Sequence, residues 1–164
     1  MFRGQAVRFR DYRLQPQVLV ASIQKCAQRH SALRSRFDIG AWSDAGDPCA
    51  GSEPHVVVES GFSVRLGRRD WRGRSEALID ADLSCLMREQ LEEGFDLQRA
   101  PLMRLTLIDS DAGQRLLWTF HHAVVDGWSI GHLFDELFAL LMDPSCSLPP
   151  RPDVAGDLGW LAAP

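Results

Sequence analysis

A mixed α/β sandwich is the fold this sequence predicts, and three observations carry that expectation. Residues 102–109 and 114–122 are β-rich runs joined by the turn-like tetrapeptide Ser110-Asp-Ala-Gly113, and they read as an antiparallel hairpin. Around that hairpin, segments with apolar residues at helical spacing interleave with short β-rich ones. The 164 residues, 45% hydrophobic and 24% charged, are those of an ordinary globular chain long enough to bury one core.

In chain order, residues 6–14 alternate loosely, with Val7, Phe9 and Asp11 toward one side, and read as a strand. Pro16 suits the first turn of a helix, and from there to His30 the apolar residues Leu19, Ile23, Cys26 and Ala27 recur at helical spacing. Residues 31–39 read as a turn into a strand. Residues 40–54, rich in Gly, Ala, Ser, Asp and Pro, read as an exposed loop, and 55–59 as a short strand. A second helix is expected over 75–93, with Ile79, Leu83, Leu86, Met87, Gln90 and Leu91 inward and Gly94 as its C-terminal cap. After the hairpin, a third helix begins near Trp128 or Ser129, carries Ile130, Leu133, Phe134, Leu137 and Leu141 as its apolar stripe, and stops before Pro144. Five of the nine prolines fall in 144–164, so the expected division is a folded unit over 1–143 and a Pro-rich linker or crossing strap over 144–164.

Charge and cysteine usage exclude some function classes. A net charge of −4 argues against general nucleic-acid affinity, which needs a surplus of cations. Eight of the 18 Lys and Arg lie in residues 1–40 against Asp11 and Asp38. That asymmetry reads either as a basic face for an acidic partner or as solvated ends of a strand and a helix. Cys26, Cys49, Cys85 and Cys146 form no C-x-x-C pair and read as free thiols. No signal-peptide core and no stretch near the ~20 apolar residues of a membrane helix is present, so a cytoplasmic setting without a membrane partner is expected.

The chemistry concentrates in Phe120-His121-His122-Ala-Val-Val-Asp126-Gly127-Trp128-Ser129. Strand alternation puts Leu116, Trp118, Phe120 and His122 on one face and Leu117, Thr119 and His121 on the other. A partly desolvated imidazole at the strand end stays neutral near pH 7 and can accept a proton from an attacking amine or hydroxyl. Gly127 stands where the backbone must turn tightly, and its N–H, with those of the helix start, can meet an oxyanion. The same string also reads as a core histidine pair followed by a helix-capping aspartate. A metal site is disfavoured because His121 and His122 diverge and a third ligand must come from His132, His30 or His55. A serine hydrolase is disfavoured because no G-x-S-x-G elbow occurs and the Ser129 hydroxyl more naturally caps the helix. Trp118 and Phe120 read as core or, on a bare face, as a surface for self-association or a partner.

The string His121-His122-Ala-Val-Val-Asp126-Gly127-Trp-Ser129 resembles the H-H-x-x-x-D-G-x-S signature of condensation domains of nonribosomal peptide synthetases, within the chloramphenicol acetyltransferase-like acyltransferases. Residues Arg29-His-Ser-Ala-Leu-Arg34-Ser-Arg-Phe37 resemble that family's R-H-E-x-L-R-T-x-F segment, with Ser31 for Glu and Ser35 for Thr. Gly94-Phe-Asp-Leu97 and Ala100-Pro-Leu-Met-Arg104 resemble its P-F-D-L and G-P-L-x-R elements, in the family's order. The resemblance implies a two-layer α/β lobe of the chloramphenicol acetyltransferase type. It implies His122 as the active-site histidine, His121 as structural, and Asp126 as a loop-ordering carboxylate held by an arginine, for which Arg34 is the candidate. Gly127 would leave room beside the tetrahedral intermediate, and Ser129 would support the loop. The implied reaction joins a carrier-bound amine to a carrier-bound thioester. No cofactor or metal would be held by this chain, since the phosphopantetheine arms belong to the carrier proteins.

The family's opening S-x-A-Q-x-R-L-W element is not matched, and Gly156-Asp-Leu-Gly-Trp160 matches its later Y-x-D-Y-x-x-W region only distantly. The resemblance therefore implies the first of two lobes. Three functions follow as alternatives: an amide-forming half that works with a second lobe or further synthetase modules, a catalytically silent docking module for synthetase partners, or an acyl-CoA-dependent O- or N-acyltransferase.

Overall fold

The computed structural model describes residues 2–10, 12–38 and 55–150. In chain order these form β1 (Phe2–Phe9), α1 (Pro16–Arg29), a 3-10 turn (Ser31–Arg34), β2 (Ser35–Asp38), β3 (His55–Val58), β4 (Leu66–Asp70), α2 (Glu76–Glu93), β5 (Met103–Ser110), β6 (Gly113–His121) and α3 (Ser129–Met142). The main sheet runs β1-β6-β5-β4, antiparallel except for the parallel β4–β5 pair, and β2 and β3 form a separate antiparallel pair. The main-chain N–H of Phe37 donates to the Leu97 carbonyl (2.8 Å), joining the small sheet to the segment after α2.

The expected hairpin is present, with Ser110 opposite Gly113 across a two-residue loop. Its strands are apolar on both faces, and that dictates the layering. Leu105, Leu107, Leu116, Trp118 and Phe120 pack with Leu19, Ile23 and Cys26 of α1 and Leu133, Leu137 and Leu141 of α3, which is the helix-on-sheet sandwich that the sequence predicts. Ile108 and Leu117 point the other way, onto Ile79 and Leu86 of α2 and onto Trp71, because a second face that sheds water needs a cover of its own. The core expectation for Trp118 and Phe120 also holds, the indole meeting Phe134 edge-on at 5.6 Å between centroids.

All three expected helices form close to their expected bounds. The Ser75 side chain accepts the Leu78 N–H at the start of α2, and Gly94 ends that helix at φ +69°, a conformation that costs other residues strain. Arg104 then donates to the carbonyls of Gln90 (3.1 Å) and Gly94 (2.6 Å), closing the exposed end of α2 while its guanidinium lies over Phe95 at 4.4 Å.

Two strands depart from expectation. β1 begins at Phe2 rather than residue 6, because its register is fixed by β6, Phe2 opposite His121 and Phe9 opposite Gln114. Leu-Gly-Arg-Arg-Asp at 66–70 shows no apolar alternation and is expected as no element; it becomes β4 by pairing with β5, Leu66 opposite Leu105 and Asp70 opposite Asp109. The expected loop over 40–54, Asp11 and Cys49, and residues 151–164 of the expected strap lie outside the described residues. The first part of the strap, 144–150, runs back along α1, where Arg29 donates to the Leu148 carbonyl (3.4 Å) and Cys146 and Leu148 pack against the core.

Cys26, Cys85 and Cys146 are free thiols; burial, reinforced by the Glu136 carboxylate, pushes the Cys26 thiol up to about 12. Three of the cations in the N-terminal segment are paired with acids from other parts of the chain. Arg8 meets Glu76 (2.9 Å), Arg29 meets Glu136 (3.1 Å) and Arg36 meets Glu59 (2.7 Å). Among the described residues no helix is long and apolar enough to cross a membrane.

Candidate active site

The His-His string spans the junction from β6 to α3, and burial of its hydrophobic members shapes it. Phe120 is in the core, and His121, the last residue of β6, is anchored by its N–H to the Leu102 carbonyl (2.9 Å). The chain then turns: the Val124 N–H donates to the His121 carbonyl (3.1 Å), and Val124 and Val125 drop back into the core. With the residues on either side pulled inward, His122 and Ala123 are thrown out into solvent.

This corrects the expected placement of the histidines. His122 lies past the strand, so alternation does not govern it, and it is exposed rather than desolvated. The partly buried ring is His121, whose Nδ1 accepts the Ala123 N–H (3.1 Å). Burial, helped by the neighbouring His122, holds the His121 imidazole below the usual histidine range. It therefore stays neutral at pH 7 with Nδ1 as acceptor of the Ala123 N–H, and it braces the turn that carries His122.

Asp126 is a helix cap. Its carboxylate accepts the N–H groups of Ser129 (2.7 Å) and Trp128 (3.1 Å), and its carbonyl accepts the Ile130 N–H (3.1 Å). These bonds correct two expectations. The N–H groups of the α3 start are occupied by Asp126 and not offered to an oxyanion, and the Ser129 hydroxyl joins the Asp126 carboxylate instead of capping the helix itself. Arg34 is not the arginine of Asp126: its Nε donates to the Ala27 carbonyl (2.9 Å) and its Nη1 to the Glu59 carbonyl (2.6 Å). Those two bonds tie the α1 end to the β2–β3 sheet, where an arginine fork satisfies carbonyls that helix and strand leave open.

Gly127 needs no special backbone conformation, since the positive-φ residues among those described are Gly73, Gly94 and Gly113. A Cβ at 127 would meet nothing within 4 Å, so the expectation of an enforced tight turn is corrected: the lobe itself imposes no glycine there. Trp128 beside it is 88% exposed. Among the described residues no group of three or more His, Cys, Asp and Glu side chains is placed to hold a metal ion.

Hydrogen bonds from Ser129 and Trp128 hold the Asp126 carboxyl below the usual carboxylate range. A depressed pKa means the cap contributes fully above the unfolded value near 4 and is lost as pH falls through the folded value. Asp126→Ala is therefore expected to cost about 1 kcal/mol at pH 7, Asp126→Asn less, with the gap to wild type narrowing below about pH 4. Urea unfolding at pH 7 and pH 3 checks this, and a gap that ignores pH would contradict the capping role.

The residue that sequence reasoning missed is Glu136. It sits within the apolar stripe of α3, 7% exposed, and its carboxylate meets Arg29 Nε (3.1 Å) and His30 Nε2 (3.0 Å) from the end of α1. A carboxylate between Leu133 and Leu137 on an inward face, with an arginine and a histidine at the end of a neighbouring helix, is the signal that identifies such a clamp.

Comparison with known proteins points to one family. Residues 2–152 match the family model described as "Condensation domain". A linear gramicidin synthase from Brevibacillus parabrevis is 36% identical over 146 residues, which is 86% of this chain and 3% of that synthase. Bacitracin synthase 1 of Bacillus licheniformis is 30% identical over 129 residues, 78% of this chain and 2% of that one. The chain thus spans a few per cent of the length of these relatives. Among solved structures, SgcC5 from Streptomyces globisporus superposes with a TM-score of 0.77 at 20% identity, covering 97% of this chain and 34% of that one. The structure of condensation domain-mediated chain release from the enacyloxin polyketide synthase gives 0.73 at 21%, covering 99% and 31%. At such identities the superpositions speak for the fold.

Proposed function

The chain belongs to the condensation-domain family of peptide synthetases, whose members act on carrier-bound substrates, and from that premise we propose that it is the N-terminal half of such a domain, contributing His122 to amide-bond formation. The observation that carries the reading is the turn after β6, where burial of Val124 and Val125 presents His122 to solvent, in the same loop as Gly127, whose surroundings are open. In the two-lobed arrangement that the family implies, a facing lobe closes over this loop. Closure desolvates His122, which the lobe alone leaves wet, and supplies the low-dielectric surroundings in which a neutral imidazole works best.

The reaction follows from those positions. A carrier-bound amine attacks the thioester carbonyl of a second carrier-bound acyl group; the C–N bond forms, the C–S bond breaks, and the amine proton passes by way of His122 to the departing thiolate. His122 acts as the base or as the group that holds the amine. His121 braces the turn through the Ala123 N–H, and Asp126, assisted by Ser129, fixes the start of α3. The free volume at Gly127 is where the thioester passes, so its glycine serves the substrate rather than the fold. The phosphopantetheine arms and the carrier proteins that bear them are the partners of this reading.

The test is product formation from donor and acceptor groups loaded on separate carriers, measured by mass spectrometry with the chain alone and with a complementary second lobe. His122→Ala is expected to reduce product about a hundredfold. Gly127→Ala is expected to reduce it as well while leaving stability within about 0.5 kcal/mol of wild type. Product insensitive to His122 would sink the catalytic reading, and stoichiometric carrier binding without any turnover would favour a silent docking module. Turnover with acyl-CoA in place of the carrier-bound donor would favour the acyltransferase alternative.

A further inference from the structure

One feature without an assigned role is a groove of about 910 Å³ along the β4 edge of the main sheet. On one face of that sheet α2 covers β1 and β6 and reaches β5 through Ile79 against Ile108 and Gln90 on Thr106, leaving β4 exposed at the edge of that face. Gly67 lies opposite Thr106 and Arg69 opposite Ile108, and both partners point to the α2 side, so Gly67, Arg69 and Arg65, the residue that leads into β4, line one wall of the groove. No residue of the His-His string lines it.

The charge of the groove is lopsided. Five arginines (Arg36, Arg65, Arg69, Arg99 and Arg104) face two acids, Glu59 and Asp96. Both acids are already engaged, Glu59 by Arg36 (2.7 Å) and Asp96 by Arg99 (3.4 Å), and Arg104 is held by Glu93 and two carbonyls. Among the described residues Arg65 and Arg69 meet no carboxylate; Arg69 donates to the neighbouring Arg68 carbonyl (3.1 Å). Two fork-shaped cations with no anion, on a chain whose net charge is −4, are a recognition feature.

Their spacing selects the ligand. Residues i and i+4 of an extended segment share a face about 13 Å apart. An extended peptide with acidic side chains four residues apart matches that backbone spacing one to one. The glycine between the two arginines leaves the floor low enough for another backbone to approach. We propose that this groove binds an extended acidic peptide segment of a partner protein, with Arg65 and Arg69 as its two anchors. The site is separate from His122 and stands whether or not the catalytic reading does.

The test is fluorescence anisotropy of the 164-residue chain with a fluorescein-labelled, strand-prone peptide, Thr-Glu-Val-Thr-Val-Glu-Thr, at low salt. Arg65→Glu with Arg69→Glu is expected to weaken binding at least tenfold, and Arg65→Gln with Arg69→Gln to weaken it in the same direction. Arg3→Glu with Arg10→Glu, the same change in net charge on exposed arginines elsewhere, is expected to leave it within twofold. A peptide with its two Glu adjacent, or with Gln for Glu, is expected to bind at least tenfold more weakly than the spaced one. Circular dichroism melts identify any variant that has lost its fold, for which the Gln pair provides the reading. Equal weakening by both Glu pairs, indifference to Glu spacing, or displacement by tripolyphosphate at concentrations below those of the peptide would each overturn the proposal.

Discussion

Alanine at position 136 is expected to lower the free energy of unfolding by about 3 kcal/mol. Glu136 projects from α3 into the seam with α1, where Arg29 approaches it with two nitrogens (3.1 and 3.4 Å) and His30 with one (3.0 Å). Removing the carboxylate strands the Arg29 guanidinium, 23% exposed, with only main-chain carbonyls of the 144–150 strap for company. Breaking a buried pair from one side costs about 3–5 kcal/mol, and the partial exposure of Arg29 sets the expectation at the lower end. Glu136→Gln, which keeps acceptor and shape, is expected to lose less. Replacing the whole cluster, Glu136→Leu with Arg29→Met and His30→Leu, is expected to recover most of the loss, because no charge is then left uncompensated. Equilibrium urea unfolding measures all three, and a Glu136→Ala variant within about 1 kcal/mol of wild type would show that the clamp contributes little. Because α3 begins at the Asp126 cap, the same clamp fixes the helix from which the His122 loop departs.

The second large effect is expected at the hairpin turn. Gly113 has φ +117°, and a Cβ built there would collide with the carbonyl oxygen of Phe9 and stand 3.2 Å from the Cα of Arg10. Neither obstacle is a side-chain end that can swing away. Alanine must strain the turn, in which Ser110 Oγ donates to the Gly113 carbonyl (2.7 Å), or push the end of β1 off β6. Backbone strain and overpacking each cost about 1–3 kcal/mol, so Gly113→Ala is expected to destabilise by about 4 kcal/mol. Hydrogen exchange is expected to lose protection first at the Phe9 end of β1. Gly131→Ala is the control: it lies inside α3 with nothing within 4 Å of its Cβ, and the better helix former is expected to stabilise by up to about 1 kcal/mol. Equal effects at the two positions would refute the steric argument.

Helix positions and the hairpin are legible in the linear sequence because both are local. The stripe of Leu19, Ile23, Cys26 and Ala27, the Gly94 cap, and the turn at 110–113 act over a few residues, and all are where periodicity and cap chemistry put them. The His-His string is legible as a motif, and the family it indicates is the one to which the chain belongs. Its internal geometry is not: strand alternation cannot foresee that β6 stops at His121, and it therefore exchanges the partly buried ring with the exposed one.

Pairings between distant segments emerge only when the chain folds. β4 exists because β5 offers a parallel edge to a polar pentapeptide. Arg34 turns to the carbonyls of Ala27 and Glu59 and leaves Asp126 to cap α3, and Glu136 gathers Arg29 and His30 from the end of α1. Arg8, Arg29 and Arg36 of the basic residues 1–40 are taken up by acids, while Arg65 and Arg69, at the entrance to β4 and on it, meet none among the described residues, where composition gives no hint. Helices, hairpin and family can be read from the chain alone, because local propensity and motif spacing are written along it. The partner of each charge and the cover of each sheet face wait on the fold, because desolvation and ion pairing depend on which groups meet across space.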